Sequence, residues 1–378
     1  MKKSFFKFWV AVLILFFTSP HIVSAEETTN KFNPGPFIIN HVIDDYGWHI
    51  TGDNNQAISI PLPVILFDNG KPVVFMSNKF HHGHCAYKGY AIGFTPSTKR
   101  KIIKLAGENA DYSGELTAIT ATITSEEEME QLIDKNASIW DISITKNVCS
   151  LLISIIILLW VFLAVAKQYK QREGQAPRGA QGLIEPLILF IRDEVAIPSI
   201  GKDKYEKYFP YLLTLFFFIL VNNLMGLIPI FPGGANVTGN IAITGILAVL
   251  TFFITTFSSN KNYWKHIINT PGVPWFLKFP LPLMPIVEII GIFTKPFVLM
   301  VRLFANITAG HIIALGIFSL IFIFGDMLPA LGYGVSIVSL VFYLFMGLLE
   351  IIVAFIQAFV FTLLTALFTG MAMEEEHE

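Results

Sequence analysis

Two apolar stretches, residues 283–325 and 333–373, constrain this chain more than any other feature of it. Each is long enough for ~40 residues of helix, about 60 Å at 1.5 Å per residue, whereas a hydrocarbon core is about 30 Å thick. Either each stretch crosses a membrane twice, or each is one helix tilted steeply toward the membrane plane. Gly332 and Gly334 punctuate the junction and are expected to make the turn between the two. Gly and Pro signals inside the stretches are weaker, which favours two long tilted helices.

The composition points the same way. Residues of the AVILMFWYC set make up 53% of the 378-residue chain and DEKR only 14%, where soluble domains carry about 25% charged residues. So much apolar surface must face lipid or other membrane helices. A net charge of −2 leaves no basic footprint for nucleic acid. Cys85 and Cys149 form neither a disulfide framework nor a zinc pattern. No G-x-x-x-x-G-K-[ST], G-x-S-x-G or H-E-x-x-H string occurs, so the chain shows no nucleotide or hydrolytic site of those kinds.

The N-terminus predicts a signal peptide over residues 1–25: Lys2, Lys3 and Lys7, then the apolar run 8–17, then the small residues Val23-Ser24-Ala25. Residues 26–145 have soluble composition and predict a small mixed α/β or β-rich extracytoplasmic domain. Strands are expected at 57–67, 73–76 and 117–124, and Ser125 with Glu128 has the form of a helix capping box. The run 147–166 is free of charge and places a first membrane helix at 146–168. Lys167, Lys170, Arg172 and Arg178 follow it and mark that end as cytoplasmic. A cytoplasmic loop, 169–209, contains the amphipathic stretch 183–200, expected along the interface. No Asp, Glu, Lys or Arg occurs from 209 to 260. Breaks at Pro232, Gly233-Gly234 and Asn236 divide the segment 210–259 into a hairpin of two spans, 210–230 and 240–257, with its tip outside. Lys261 and Lys265 open a cytoplasmic loop, 260–282; the long pair occupies 283–373, and 374–378 is a cytoplasmic tail. The expected fold is therefore an all-α polytopic membrane protein of about five membrane helices, the last two a tilted hairpin, plus the small N-terminal domain.

Charges inside a membrane are costly and are functional suspects by default. Glu288, Lys295 and Arg302 recur every seven residues, so they share one helix stripe, which Asn306 extends. Arg302 is followed by 23 uncharged residues, 303–325, and a guanidinium stays charged under all accessible conditions. Lys295 is nearer the interface, where a lysine can snorkel. The second stretch holds one charge, Glu350, with Gln357 on the same face. If Gln357 lies level with Arg302 in an antiparallel hairpin, Glu350 is ~10 Å and His311 ~13 Å away along the axis. That depth allows His311 and Glu350 to pair or relay a proton, although His311 stands about 180° around the helix from Arg302. Ala305, Ala309 and Gly310 let another helix approach closely. One fixed cation beside a polar path would favour the ionised form of a carboxylate brought to it by a partner.

The string Arg302-Leu303-Phe304-Ala305-Asn306-Ile307-Thr308-Ala309-Gly310-His311 resembles the centre of the subunit a family of F-type ATP synthases. Glu288, Lys295-Pro296, Gln357-Ala358-Phe359-Val360-Phe361, Asn222-Asn223-Leu224-Met225-Gly226-Leu227-Ile228-Pro229 and Phe190-Ile191-Arg192-Asp193-Glu194 fit the same pattern, over roughly residues 147–373. The resemblance implies a stator beside a rotating ring of c subunits, in the plasma (inner) membrane of a bacterium. Two offset half-channels would lead protons to and from the ring carboxylate, and Arg302 would separate them with Gln357 near it. Asn306, His311, Glu350 and Glu288 would occupy half-channel positions; Ala305, Ala309 and Gly310 would face the ring. Peripheral-stalk b subunits and the lipid bilayer complete the implied partners, with one copy per complex and no cofactor or metal. Many bacterial members carry Glu where this chain has His311 and His where it has Glu350, so the pair looks exchanged. Residues 26–145 receive no role from the resemblance.

Other readings of the chain are a secondary transporter, which would show inverted repeats and a broken-helix substrate site, and a membrane-anchored sensor with 26–145 as ligand domain. His81-His82-Gly83-His84-Cys85 carries metal-binding side chains without a second ligand cluster and is read as a polar loop. Asn236-Val237-Thr238 matches a glycosylation acceptor by chance in a short hairpin tip.

Overall fold

The structure is a computed structural model and describes residues 32–373 except 52–57, 94, 96, 97, 99, 121–125, 173, 229–230 and 269–282. The expected signal peptide, the Ser125 cap and the C-terminal tail lie outside the described residues.

Five helices among the described residues are long and apolar enough to cross a membrane. Preceding them are α1 (Pro34–Val42), α2 (Leu116–Thr120) and α3 (Glu126–Gln131) of the N-terminal domain. The first long helix is α4 (Lys146–Gln171). A cytoplasm-predicted segment follows as α5 (Ala180–Phe190), a π-turn (Ile191–Ala196) and α6 (Ile197–Ile200). Then come α7 (Tyr205–Leu227), α8 (Ile241–Ser258) and the short α9 (Lys261–Ile268). The chain ends in α10 (Leu283–Met327) and α11 (Pro329–Met373), 45 residues each. Upright, such a helix would stand about 68 Å tall. Only an oblique course keeps its apolar surface within a hydrocarbon core of about 30 Å.

The junction of this last pair differs from the expectation. Gly332 and Gly334 do not make the turn; Leu328 alone does, and Pro329 starts α11. Proline suits a first helical position because its fixed φ is helical and its missing N–H would have no partner there. Gly332 instead serves a close approach, since a Cβ at that position would stand 2.8 Å from the Cα of Gly325.

Leu212, Phe216 and Ile219 of α7, Leu299 and Leu303 of α10, and Ala358 and Ala366 of α11 form the centre of the membrane core. The amphipathic stretch 183–200 joins it. Ile191, Val195 and Ala196 are fully buried there, while Leu183 and Leu189 remain exposed.

The N-terminal domain is built of small antiparallel sheets. β1 (Gly47–Thr51) pairs with β2 (Ile58–Pro61). β3 (Pro63–Asp68) lies between β4 (Lys71–Met76) and β9 (Ile139–Asp141). β5 (Cys85–Ala86) pairs with β8 (Gly114–Glu115), and β6 (Tyr90–Ile92) with β7 (Ile102–Lys104). β3 alternates as a half-buried strand should, with Val64 and Leu66 inward. The strand expected over 117–124 is absent from its described part, because Leu116–Thr120 is helical. Leu116 is buried against Ala86, Ala91 and Leu105, and Ile119, one turn on, packs on the same cluster. That shared face outweighs the β-propensity of the threonines.

The domain sits on one end of the helices, the end that carries the α7–α8 tip and the α10–α11 junction. Trp48, buried with Ala235 and Val237 of the tip, lies 5.0 Å from the Phe231 ring. The Phe32 N–H donates to Asp326 Oδ2 at 2.8 Å, and its ring meets Phe322. Asp44 accepts from the Asn147 N–H at 2.9 Å and from Thr145 Oγ1 at 2.7 Å, which caps α4 with a group from the domain.

Inside the domain, buried Asp68 accepts from Lys104 Nζ and from Tyr90 Oη, tying β3 to β6 and β7. The Lys104 hydrogen bond leads in holding the Asp68 carboxyl below its ordinary value of 3.8, against the opposing effect of burial. A lowered folded value means stability that is complete above 3.8 and lost as pH falls through the folded value. Asp68→Asn should cost about 1.5–3 kcal/mol at neutral pH. Hydrogen exchange over β3, β6 and β7 in the intact chain should be faster in the variant at pH 7 and converge with the parent in acid. Equal exchange at pH 7 would remove this contribution.

Candidate functional site

The α10 surface divides into two stripes. Leu299, Leu303 and Ile307 are buried in the membrane core. Arg302, Ala305, Asn306 and Ala309 are exposed on the outer side, at helix spacings of three and four. The small side chains of Ala305 and Ala309 leave the surface low on the C-terminal side of the guanidinium. Among the described residues Arg302 has no ion pair and no hydrogen bond; the described ion pairs are Lys104–Asp68, Lys135–Glu130 and Arg192–Asp193.

Depth along the hairpin is set by contacts between its arms. Gly332 meets Gly325, the Tyr343 ring lies 5.8 Å from Phe318, Glu350 touches Gly310, and Lys295 Nζ lies 5.4 Å from the centre of the Phe368 ring. Arg302 stands midway between Lys295 and Gly310, and so comes level with the α11 turn carrying Gln357. Gln357 is 5% exposed and belongs to the buried face of that helix. Glu350 is about 12 Å further along the axis, too far to neutralise Arg302. Its carboxylate fills the space that the missing Gly310 side chain leaves, since a Cβ there would be 2.8 Å from Oε1.

His311 is at the same depth but looks another way. Its Nε2 would be 3.6 Å from a Cβ at Gly226, on α7. His311 and Glu350 therefore share a level without a direct hydrogen bond, contrary to the simplest form of the expected pairing. His311 Nε2 and Glu350 Oε1 are both buried without a partner among the described residues. Polar atoms so placed call for a polar occupant.

Glu288 lies toward the opposite end, about 21 Å along the axis from Arg302, near Tyr263 of α9. Burial first, and then the Glu288 charge, push the Tyr263 phenol up. Lys295, between the two, rests on the Phe368 face. No group of three metal-ligating side chains occurs among the described residues, His81, His82 and His84 included.

Several polar groups escaped the sequence reading. Thr238 Oγ1 donates to Asn223 Oδ1 at 2.6 Å, and Asn223 Nδ2 donates to the Ala354 carbonyl at 3.2 Å, so a buried chain of bonds joins the tip to α11. Asn147, Ser150 and Ser154 make a buried polar stripe down α4. Their spacing of three and four, and the Asn222-Asn223 pair within a charge-free run, were the available signals.

In comparisons with known proteins, residues 148–370 match the family described as ATP synthase A chain. Residues 37–142 match a domain of unknown function (DUF8433). The chain is 46% identical over 244 residues to ATP synthase subunit a of Chloroherpeton thalassium, covering 63% of this chain and 68% of that one. It is 49% identical over 246 residues to ATP synthase subunit a 2 of Prosthecochloris aestuarii, covering 63% and 72%. With ATP synthase subunit a of Myxococcus xanthus the identity is 42% over 244 residues, covering 63% and 75%.

Asn223→Val leaves the Thr238 hydroxyl and the Ala354 carbonyl without their side-chain partner. It should cost about 1–3 kcal/mol of stability, read as a lower melting temperature of the detergent-solubilised chain. Adding Thr238→Val should recover part of the loss, because the two residues share one bond; strict additivity would contradict the linkage.

Proposed function

The chain belongs to the ATP synthase A chain family, and on that premise we propose that it is the stator subunit of the synthase membrane sector, guiding protons to and from the carboxylates of a c-ring. The observation that carries the reading is the Arg302 guanidinium, exposed among Ala305, Asn306 and Ala309 and unpaired among the described residues. A surface with one fixed cation and small neighbours fits a partner helix that brings its own carboxylate.

The chemistry follows from Coulomb's law. A unit charge pair at 4 Å and an effective dielectric of 20 interacts by about 4 kcal/mol, roughly three units of carboxylate pKa. A ring carboxylate abreast of Arg302 is thus held ionised, and a protonated one must release its proton before it passes. His311 and Glu350, with Asn306, belong to the half-channel on the domain side; Glu288 belongs to the other. Protons crossing from one to the other must ride the ring, because Arg302, level with Gln357, forbids a direct transfer. Each charge crossing 100 mV yields about 2.3 kcal/mol, so several ions drive each ATP and a rotating ring sums them. The chain itself binds no nucleotide.

Orientation follows from the cations. Lys170, Arg172, Lys202, Lys204, Lys207, Lys261 and Lys265 lie at the end away from the N-terminal domain. The positive-inside rule makes that end cytoplasmic and puts the domain outside a bacterial plasma membrane, after removal of residues 1–25. One copy per complex and attachment to b subunits complete the proposal.

Arg302→Ala should abolish ATP-driven proton pumping in membrane vesicles while c and b subunits still copurify with the chain. Arg302→Lys should not restore coupled pumping in full, since a lysine lacks the planar delocalised charge. Full pumping by Arg302→Ala would refute the assignment.

A further inference from the structure

A groove of about 390 Å³ lies between the N-terminal domain and the membrane helices. Ile39 and Ile43, within and just after α1, form its upper wall, Asn240 and Ile241 at the start of α8 one side, and Phe304 and Ile312 of α10 the floor. Its depth follows from α8. That helix has 18 residues, about 27 Å, and so needs its whole length to cross a hydrocarbon core of about 30 Å. Ile241, the first of them, therefore stands at the edge of the core on the domain side. Phe304 and Ile312 are about 3 and 15 Å along α10 from Arg302 toward that edge, and the oblique course of α10 keeps both at hydrocarbon depth.

The walls select an apolar occupant. Ile39, Ile43, Ile241 and Ile312 come from three elements, converge on one space and remain 51, 41, 52 and 43% exposed. Below Ile241, the exposed Ile246, Val249 and Leu250 continue the same surface down the membrane-crossing length of α8. The polar groups at the upper end already have partners. Asp44 accepts from the Asn147 N–H and Thr145 Oγ1, and Asn240 Oδ1 from the Ala242 N–H. Asn147 Oδ1 and Thr308 Oγ1 are enclosed in the walls and do not open onto the groove. Size narrows the choice further. An apolar cavity of about 150 Å³ takes up benzene, so this space holds a slender chain, but not a helix of about 10 Å diameter. Phe304, Thr308 and Ile312 also form a stripe turned about 120° around α10 from Arg302, away from the surface proposed to meet the ring.

We propose that this groove binds one acyl chain of a phospholipid from the leaflet on the domain side, held as a fixed ligand with its head group at the level of Asn240 and Asp44. The chain fills the space under α1 and so joins the N-terminal domain to α8 and α10. The site goes beyond the stator reading and does not depend on it, because only the membrane fold enters.

The test uses the assembled complex in vesicles of phosphatidylethanolamine and phosphatidylglycerol, doped with a phosphatidylethanolamine that carries a diazirine in one acyl chain. After illumination, the crosslinked residues are mapped by mass spectrometry. Ile39, Ile241 and Ile312 should be labelled about fivefold more than Leu159, an aliphatic residue on the exposed surface of α4 where lipid exchanges freely. Ile312→Trp fills the groove and should cut labelling at Ile39 and Ile241 at least threefold, with Leu159 unchanged. Should that variant fail to fold, Val42→Trp fills the groove from the domain side and should have the same effect. No labelling in the groove, labelling no greater than at Leu159, or labelling that survives the tryptophan would each overturn the site. Any of these results leaves the stator reading standing, since pumping by Arg302→Ala decides that reading separately.

Discussion

The Arg302 guanidinium, held at membrane depth with no anion beside it among the described residues, sets the terms for the rest of this molecule. Desolvating such a group is costly, and nothing in α10 or α11 offsets the cost locally. Glu350 is turned into the space beside Gly310, and Glu288 is about four helical turns away. In the stator role we propose, partner carboxylates would be part of the energetics of the fold, with Arg302 at its lowest energy when another polypeptide presents an acid to it. On that proposal, a ring that presents its acids one after another turns the preference into directed motion.

The two long helices make this possible by geometry. Their length forces an oblique path, and an oblique helix exposes a long outer surface whose depth changes slowly from one residue to the next. Close approaches at Gly332 and Gly310 draw the arms together, so that residues on α11 are held at fixed levels relative to α10. The buried bond chain from Thr238 through Asn223 to the Ala354 carbonyl then ties the α7–α8 tip to the same frame. His311 and Glu350, on different walls at one level, mark a polar region on the domain side of Arg302. Glu288 marks another on the far side. The cation lies between the two.

Much of this was legible in the residues because membranes punish charge. Charge-free runs delimit the spans, and the seven-residue recurrence of Glu288, Lys295 and Arg302 marks one stripe. Counting along an antiparallel hairpin puts Glu350 at the level of Gly310, where its carboxylate is found. What escaped depends on contacts between distant segments. Gly332 reads as a turn residue in isolation, yet Pro329 is the better helix start and the glycine is needed for packing. The threonine-rich run after Leu116 reads as a strand until its buried face on Ala86 and Leu105 is known. Nothing local in Trp48, Phe32 or Asp44 announces that they dock the N-terminal domain on the membrane helices. Nor does Asn223 announce its partners on the tip and on α11.

The most direct measurement is a density map of the assembled complex around Arg302. The guanidinium should face the ring, with a c-subunit carboxylate as the nearest anion at about 4–6 Å and no carboxylate of its own chain within that range. A guanidinium turned away from the ring, or already paired to Glu288, Glu350 or another acid of this chain, would contradict it.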